Sequence, residues 1–484
     1  MSQPSDHRFA ENLQRKKACV IGAGPNGLAA AIVLAKAGLA VEVFEAESQL
    51  GGAARTMELT LPGFHHDFGS AVHPMAVGSP FFSSLPLHDY GLEWIHSPAP
   101  LAHPLDDGTA VLLERKFDDA QAALGEDGAA WRGLMEPFAT RWNELAHDIL
   151  RPLLAWPSHP FLLARFGMDA LPSANFVARH RLRTERARAL FAGLSAHSFL
   201  SLDRTLSASF GMVMGITAHA VGWPVPRGGA QSITNAMSGY LAALGGRIHA
   251  STRIESFRQL PACDLTLCDI TPQQLLHLSD KKFSPSYRNR LRRYRYGPGV
   301  FKVDYALASP IPWTAADCLR AATVHVGGSM KEIAASEAAM SQGKISERPF
   351  VLVTQPTLFD TSRAPEGKHI AWAYCHVPNG SQADHLENLE DQIERFAPGF
   401  RGRVLARRIF TPSELETMDA NLVGGDINGG TADVCQFLFR PTWRQYRTSA
   451  QDVYLCSSST APGGGVHGMC GYNAAQMALL RLKS

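Results

Sequence analysis

The chain has 484 residues, 45% hydrophobic and 19% charged, which is typical of a soluble globular protein with about two to three domains. Its 46 Lys and Arg residues nearly balance 44 Asp and Glu residues, which argues against nucleic acid as a main partner. The eight cysteines include no C-x-x-C pair, so we expect reduced, buried thiols and no redox-active disulfide.

The N-terminal stretch MSQPSDHRFAENLQRKK is polar and lacks the apolar core and cleavage site of a secretory signal peptide. No uninterrupted apolar run is long enough to span a bilayer, so we expect no transmembrane helix. These features predict a cytoplasmic protein.

The first strong motif is ACVIGAGPNGLAAAIVLAKAGLAVEVFEA, at residues 18–46. It predicts a buried parallel strand, a glycine turn, a helix and a second strand. Gly22 makes the tight turn, Gly24 lets the backbone approach a pyrophosphate, and Gly27 allows the helix to pack closely on the strand. Glu45 follows the second strand, 23 residues after Gly22, where a carboxylate binds ribose hydroxyls. The motif therefore predicts dinucleotide binding.

A second glycine pair follows in ESQLGGAART, at residues 47–56, and LPGFHHDFGSAVHP comes shortly after it. This arrangement resembles the flavoprotein superfamily of amine oxidases and phytoene desaturases, in which the pair lies along the pyrophosphate and ribityl chain of FAD. Nicotinamide dehydrogenases have no counterpart. In that superfamily an arginine directly follows the glycine pair, whereas two alanines precede Arg55 here. Arg55 is thus either a phosphate or flavin contact or a surface arginine.

The resemblance continues along most of the chain. Residues 223–257 resemble the middle FAD segment of the superfamily, and residues 421–441 and 463–475 resemble its phytoene-dehydrogenase-related branch. The resemblance implies FAD contacts from the following residues: Gly22, Ala23, Gly24, Asn26, Gly27, Glu45, Ala46, Gly51, Gly52, Ala53, Arg55, Gly69, Ser70, Ile254, Gly465, Val466, Gly468 and Met469.

The glycine-rich stretch GGGVHGMCGYNAA, at residues 463–475, also satisfies G-x-G-x-x-G, but the sequence leaves no room for a second strand after its helix. The resemblance implies a different use, in which this helix points its N-terminus at the flavin pyrimidine ring. Backbone N–H groups and the helix dipole there stabilise negative charge on reduced flavin.

The resemblance implies an α/β fold, with a Rossmann-like FAD-binding domain of the glutathione-reductase type interleaved with an α+β substrate domain. We expect residues 14–94, 223–299 and 441–484 in the FAD-binding domain, and residues 95–222 and 300–440 in the substrate domain. FKVDYALASPIPW, PFVLVTQPTLF and HIAWAYCHV alternate as strands of a mostly antiparallel sheet. Residues 110–200 are largely helical by pattern, and residues 135–156 form the clearest amphipathic stretch.

Two residues are candidates for catalysis. Lys302, in GVFKVDYALASPIPW, resembles the amine oxidase lysine that holds a water against flavin N5, but it is also spaced to pair with Asp304 on the same strand face. His467 is the ionisable group of the flavin-facing loop, where it either shuttles a proton or supports the loop by hydrogen bonding. No set of residues has metal-ligand spacing, so we expect no metal site.

The resemblance implies an FAD-dependent oxidoreductase that dehydrogenates an apolar small molecule by hydride transfer to flavin N5. Oxygen, a quinone or another carrier would accept the electrons. The alternatives are a flavin-dependent isomerase or saturase of a polyene-like lipid, an amine oxidase, and a flavoprotein with mainly an interaction role. Amine oxidases commonly have an aromatic residue before the methionine of the final loop, whereas Gly468 precedes Met469 here.

Two arginine-rich segments, residues 178–190 and 281–297, stand out from the neutral average. They are either solvated helix faces or a peripheral contact with an anionic membrane, from which a lipophilic substrate would be collected.

Overall fold

The computed structural model describes residues 16–152, 155–278 and 282–483. The polar N-terminal segment up to residue 15, and position 281 at the start of the second arginine-rich segment, lie outside the described residues. The strands are β1 Lys17–Ile21, β2 Ala40–Phe44, β3 Thr56–Glu58, β4 His65–Asp67, β5 Trp94–Ile95, β6 Ala99–Pro104, β7 Ala110–Leu113, β8 Val225–Pro226, β9 Arg247–His249, β10 Leu265–Cys268, β11 Gly299–Leu307, β12 Ala321–Val326, β13 Val351–Thr354, β14 His369–Val377, β15 Val404–Phe410 and β16 Val453–Leu455.

The helices are α1 Pro25–Lys36, α2 Pro74–Val77, α3 Pro80–Ser83, α4 Phe117–Leu124, α5 Gly128–Ala139, α6 Trp142–Ile149, α7 Pro160–Ala170, α8 Ala174–Arg181, α9 Glu185–Ala196, α10 Ser207–Ala220, α11 Gln231–Ala243, α12 Pro272–Leu278, α13 Pro285–Arg292, α14 Met330–Ser341, α15 Leu386–Phe396, α16 Pro412–Met418, α17 Val434–Phe439 and α18 Met469–Lys483. Within the described ranges, none of them is both long and apolar enough to cross a membrane.

A parallel sheet of five strands carries the first glycine motif. Its order is β16-β10-β1-β2-β9, so three segments that are far apart in sequence contribute to it. Residues 18–21 of β1 are buried, as expected for a strand that helices cover on both faces. The C-terminal helix α18 crosses the first helix α1 so closely that a Cβ on Gly471 would lie 1.8 Å from the Asn26 carbonyl oxygen. Only glycine permits this approach.

A second, seven-stranded sheet has the order β15-β11-β14-β13-β12-β6-β7. Its neighbouring strands are antiparallel except β6 and β12. One face of β11 places Phe301, Val303 and Tyr305 in an apolar cluster with helix α15. The alternating residues, Lys302 and Asp304, therefore lie on the opposite face, which is turned toward the parallel sheet.

The predicted α/β fold class is confirmed, with one Rossmann-like parallel sheet and one mostly antiparallel sheet. The domain boundaries themselves stay a prediction. The amphipathic stretch at residues 135–156 is not one helix, because α5 ends at Ala139 and α6 begins at Trp142. Arg141 interrupts it, with non-helical backbone angles of φ −119° and ψ 29°.

Candidate functional site

A cavity of about 370 Å³ extends from the glycine loop after β1 to the inner face of the seven-stranded sheet. This volume falls in the range of about 300–1,000 Å³ that small-molecule sites occupy. Glycine-rich loops and carboxylates line one end of the cavity, and aromatic and aliphatic side chains line the other. Among the residues that the structure describes, no cluster of His, Cys, Asp and Glu could hold a metal ion.

The two glycine motifs meet at the polar end of the cavity. Gly22 has φ +95° and makes the sharp turn into α1. A Cβ on Gly52 would lie 3.6 Å from the Gly24 Cα atom, so the second glycine pair lies directly against the first loop. Gly51 joins them by donating its N–H to the Ala23 carbonyl over 3.1 Å. The loops form a narrow cradle at a helix N-terminus, which suits a phosphate.

Two carboxylates hold the backbone of the first loop in place. Glu45 accepts the Ala23 N–H at 2.7 Å, and Asp269 accepts the Gly27 N–H at 2.8 Å. Burial raises the pKa of Asp269 to about 8, with smaller contributions from the Asp419 and Glu45 charges. Burial also raises the pKa of Asp419. A neutral Asp269 at neutral pH leaves the cradle able to accept an anion.

The C-terminal loop closes the same end of the cavity through Gly464, Gly465 and Val466. Gly468 has φ +67°, and a Cβ there would lie 2.8 Å from the Phe81 ring. The close packing and the left-handed backbone explain why no larger residue precedes Met469. Helix α18 thus begins beside the cradle formed by the other two loops.

His467 lies behind this loop and is buried, with 1% of its surface exposed. Its Nδ1 accepts the Met469 N–H at 3.0 Å, and its carbonyl accepts the Ser79 hydroxyl at 2.7 Å. Burial lowers the pKa of His467 to about 4, so the ring is neutral at physiological pH. It does not line the cavity. This geometry supports the start of α18, and proton transfer by His467 stays a prediction.

The loop GGDINGG, at residues 424–430, forms another part of the wall through Asp426 to Gly429. Asp426 accepts the N–H groups of Gly297 and Asn428 at 2.7 and 2.8 Å, which fixes the tight turn. The buried Arg440 guanidinium contacts the carbonyl oxygens of Asn428 and Gly430, each at 3.3 Å. Arg440 therefore holds this loop in place.

Lys302 is buried on the cavity side of β11, where it forms an ion pair with Asp304. His66 Nδ1 lies 3.6 Å from the other carboxylate oxygen of Asp304. Burial lowers the pKa of Lys302 and raises that of Asp304 to about 6. The lysine Nζ lies 5.4 Å from the ring centroid of Trp372, which lines the cavity. Lys302 thus forms an ion pair with Asp304 and also lies near the cavity.

Eight of the predicted cofactor contacts line the cavity, namely Gly24, Asn26, Gly52, Ala53, Gly69, Ser70, Gly465 and Val466. The others do not line it, namely Gly22, Ala23, Gly27, Glu45, Ala46, Gly51, Arg55, Ile254, Gly468 and Met469. Arg55 is buried and donates to the carbonyls of Gly52 and Met418, each at 2.7 Å, so it is not a surface arginine. Ile254 packs beside Phe257 on an apolar cluster outside the cavity.

Sequence reasoning missed most of the wall at the apolar end. That wall consists of His197, Phe210, Val213, Met214, Trp223, Thr323, Leu352, Thr354, Trp372 and Tyr374. His197, which directly follows α9, also lines the cavity. The strand-like character of β12, β13 and β14 was the available signal, but it does not tell which face of a sheet borders a cavity.

Comparisons with known proteins agree with this architecture. A family model described as an NAD(P)-binding Rossmann-like domain matches residues 20–85. The mouse (Mus musculus) pyridine nucleotide-disulfide oxidoreductase domain-containing protein 2 is 26% identical, covering 96% of this chain and 94% of its own. The lycopene-forming phytoene desaturase of Pseudescherichia vulneris is 24% identical, covering 94% of this chain and 96% of its own.

Two solved structures resemble the chain over nearly its whole length. An oxidoreductase from Methanosarcina mazei has a TM-score of 0.64 at 18% identity and covers 95% of this chain and 99% of its own. Putrescine oxidase with bound putrescine has a TM-score of 0.59 at 15% identity and covers 97% of this chain and 99% of its own. At these identities the solved structures show only the fold. The sequence relatives are named as an oxidoreductase domain protein and a desaturase. The chain is thus similar in sequence to oxidoreductases that include a phytoene desaturase, and similar in fold to a putrescine oxidase.

Proposed function

We propose that this protein uses FAD to dehydrogenate an apolar small molecule. The observation that carries the proposal is the single cavity that joins the glycine cradle to an apolar chamber. When bound, FAD would supply the hydride acceptor, flavin N5. The chain would hold its pyrophosphate at Gly24 and Gly52, and a carrier such as oxygen or a quinone would take up the electrons.

FAD is favoured over a nicotinamide cofactor by the number of loops around the cradle. A Rossmann motif alone serves either cofactor. Here a second glycine pair packs on the first loop, and the loop before α18 completes the wall. Asn26, at the start of α1, lines the cavity and keeps a buried side-chain oxygen without a hydrogen-bond partner among the described residues. A long dinucleotide with a ring system beyond its phosphates suits this enclosed arrangement.

The chamber favours an apolar substrate over an amine. Phe210, Val213, Met214 and Leu352 make part of its wall apolar, and the phytoene desaturases are named for a hydrocarbon substrate. The carboxylates that line the cavity are Asp269, Asp419 and Asp426, which belong to the loops at its polar end. A protonated amine in the chamber would therefore lack a counter-ion from the described residues.

The chain's own residues would orient the substrate and exclude water. The aromatic rings of Trp372 and Tyr374 stack at a centroid distance of 5.5 Å and form a flat part of the chamber wall. Lys302, just behind Trp372, is the candidate for holding a water or moving a proton there. His467, neutral at pH 7, would keep the α18 N-terminus in position.

Anaerobic titration of the bound flavin tests the proposal. The purified protein is expected to show a flavin spectrum that apolar polyenes bleach, while amines, NADH and NADPH bleach it slowly. Rapid reduction by an amine would favour the amine oxidase alternative. Conversion of a polyene only after chemical reduction of the flavin would favour the isomerase or saturase alternative. A flavin that no compound reduces would favour an interaction role.

The raised pKa of Asp269 leads to a pH-dependent prediction. In the folded protein Asp269 keeps its proton up to a pH of about 8, whereas in the unfolded chain this carboxyl loses it near pH 3.8. The Asp269 contribution to the free energy of unfolding therefore declines as pH rises toward about 8. Above that pH the ionised carboxylate would repel a pyrophosphate held at Gly24. We expect FAD affinity to fall by up to about tenfold per pH unit above 8.

The Asp269→Asn variant is the matched control, because its amide oxygen still accepts the Gly27 N–H. Its FAD affinity, measured by flavin fluorescence between pH 6 and 9.5, should vary much less with pH. Parallel profiles for the two proteins would contradict the role of Asp269.

We also propose a cytoplasmic protein that contacts membranes peripherally. Around α7 lie several exposed large apolar side chains, among them Trp156 and Phe161, whose exposures are 87% and 90%. Arg165 is exposed one helical turn after Phe161, and Arg179 is exposed on α8. Exposed aromatic side chains next to arginines suit the interface of an anionic bilayer. Such a contact would collect a lipophilic substrate.

The variant Trp156→Ser/Phe161→Ser should therefore lose affinity for vesicles containing phosphatidylglycerol by at least about tenfold, because each aromatic side chain contributes apolar burial. Co-sedimentation measures this loss. Leu405→Ser, on β15 and 48% exposed, is the matched control. Equal binding by all three proteins would rule out α7 as the membrane contact.

A further inference from the structure

A row of polar side chains crosses the otherwise apolar chamber wall. Thr323 on β12 lies directly opposite Thr354 on β13, which lies directly opposite Trp372 on β14. All three line the cavity, and each has at most 5% of its surface exposed. The two hydroxyl oxygens and the indole nitrogen are buried, and none has a hydrogen-bond partner among the described residues.

Buried polar atoms without partners are uncommon, because each loses its hydrogen bonds to water without replacement. Valine would fill the place of either threonine with almost the same shape and no such cost. Two adjacent unpartnered hydroxyls that face one cavity therefore point to a ligand that hydrogen-bonds to them.

His197 adds a fourth polar group to this part of the wall. It follows α9 and lines the cavity, and its Nε2 lies 3.0 Å from His325 Nε2. This hydrogen bond leaves Nδ1 as the His197 ring nitrogen that remains for a molecule in the cavity. His325 is fully buried on β12, two residues after Thr323, so it orients the His197 ring.

The row also has a direction relative to the cradle. Beyond Trp372 the next residue in register is Asp304 on β11, which approaches His66 of β4. Thr354 and Thr323 lie one and two strands farther in the other direction, at about 4.8 Å per strand. The two hydroxyls thus lie away from the Lys302 pair and toward α9.

We propose that Thr323, Thr354 and His197 bind an oxygen-bearing group of an otherwise apolar substrate. The inference rests on the proposed function and names its substrate class, an apolar alcohol, aldehyde or ketone in place of a pure hydrocarbon. Hydroxyl groups donate and accept hydrogen bonds, so both a carbonyl oxygen and a hydroxyl satisfy them. The bound oxygen fixes which carbon atoms lie toward the cofactor end of the chamber.

Three probes of equal carbon number test the proposal: farnesol, farnesal and the hydrocarbon farnesene. Binding to the purified holoprotein is followed by quenching of tryptophan fluorescence, since Trp223 and Trp372 line the cavity. Wild type should bind farnesol or farnesal at least about tenfold more tightly than farnesene. Thr323→Val/Thr354→Val should lose this preference, keep its farnesene affinity and unfold at an equal or higher temperature.

Thr357→Val is the matched control, because the Thr357 hydroxyl already donates to the Ile370 carbonyl at 3.3 Å. It should keep the preference for the oxygenated probes and lose stability. Equal affinity of wild type for all three probes overturns the proposal, as does a preference that survives in the double valine variant. A lower amount of bound flavin in the double valine variant also overturns the proposal, because the hydroxyls then serve the cofactor. Binding needs no turnover, so an intact preference without flavin reduction would contradict only the proposed function.

Discussion

Replacing Gly24 with valine is expected to give a folded protein that purifies without flavin colour. A Cβ on Gly24 would lie 2.9 Å from an Asp269 carboxylate oxygen, and the valine methyl groups would extend into the cradle beside Gly52. The backbone N–H groups of α1 would then be screened from a pyrophosphate. FAD content after reconstitution should fall by at least about tenfold, which corresponds to about 1.4 kcal/mol. Flavin absorbance per mole of protein measures it.

Gly402→Val is the control for a glycine-to-valine change. A Cβ on Gly402 would meet nothing within 4 Å, so this variant should bind flavin like the wild type. Circular dichroism and thermal unfolding show whether Gly24→Val is folded. A folded Gly24→Val protein with full FAD stoichiometry would be inconsistent with the cradle assignment.

Replacing Lys302 with methionine is expected to lower both stability and activity. The change leaves Asp304 buried without its cation, and breaking a buried ion pair costs about 3–5 kcal/mol. If Lys302 holds a water or a proton near the reacting atoms, reduction or reoxidation of bound flavin should slow by at least about 100-fold. Stopped-flow absorbance separates the two half-reactions.

The double variant Lys302→Met/Asp304→Asn separates the two effects. A neutral amide no longer needs a counter-ion, so the double variant should regain most of the stability that Lys302→Met loses. Its rates of flavin reduction or reoxidation should stay low if Lys302 acts in catalysis. Recovery of both stability and rate would assign Lys302 to the ion pair alone.

Local sequence patterns predicted the parts of the site that depend on local backbone. Gly22, Gly27 and Glu45 are spaced along one strand–turn–helix–strand unit, and the structure places each in the turn or beside it. The start of a helix at the C-terminal glycine loop also followed from local spacing. Resemblance to known flavoproteins then predicted that several distant loops would meet.

The chamber wall could not be predicted in the same way. Thr323, Thr354 and Trp372 become neighbours only through the register of three strands. The residue pattern within each strand does not show which side faces a cavity. His197 and His325 are 128 residues apart in sequence, and packing between a helix and a sheet brings them together.

The close crossing of α18 over α1 has a consequence for synthesis of the chain on the ribosome. The first glycine loop emerges early, but β16 and α18, which complete its sheet and cradle, emerge more than 400 residues later. Contacts of such long sequence separation form slowly, because loop closure costs entropy before packing compensates for it. The side of α1 that α18 covers therefore lacks this partner through most of translation, and cofactor capture is expected to follow release of the finished chain.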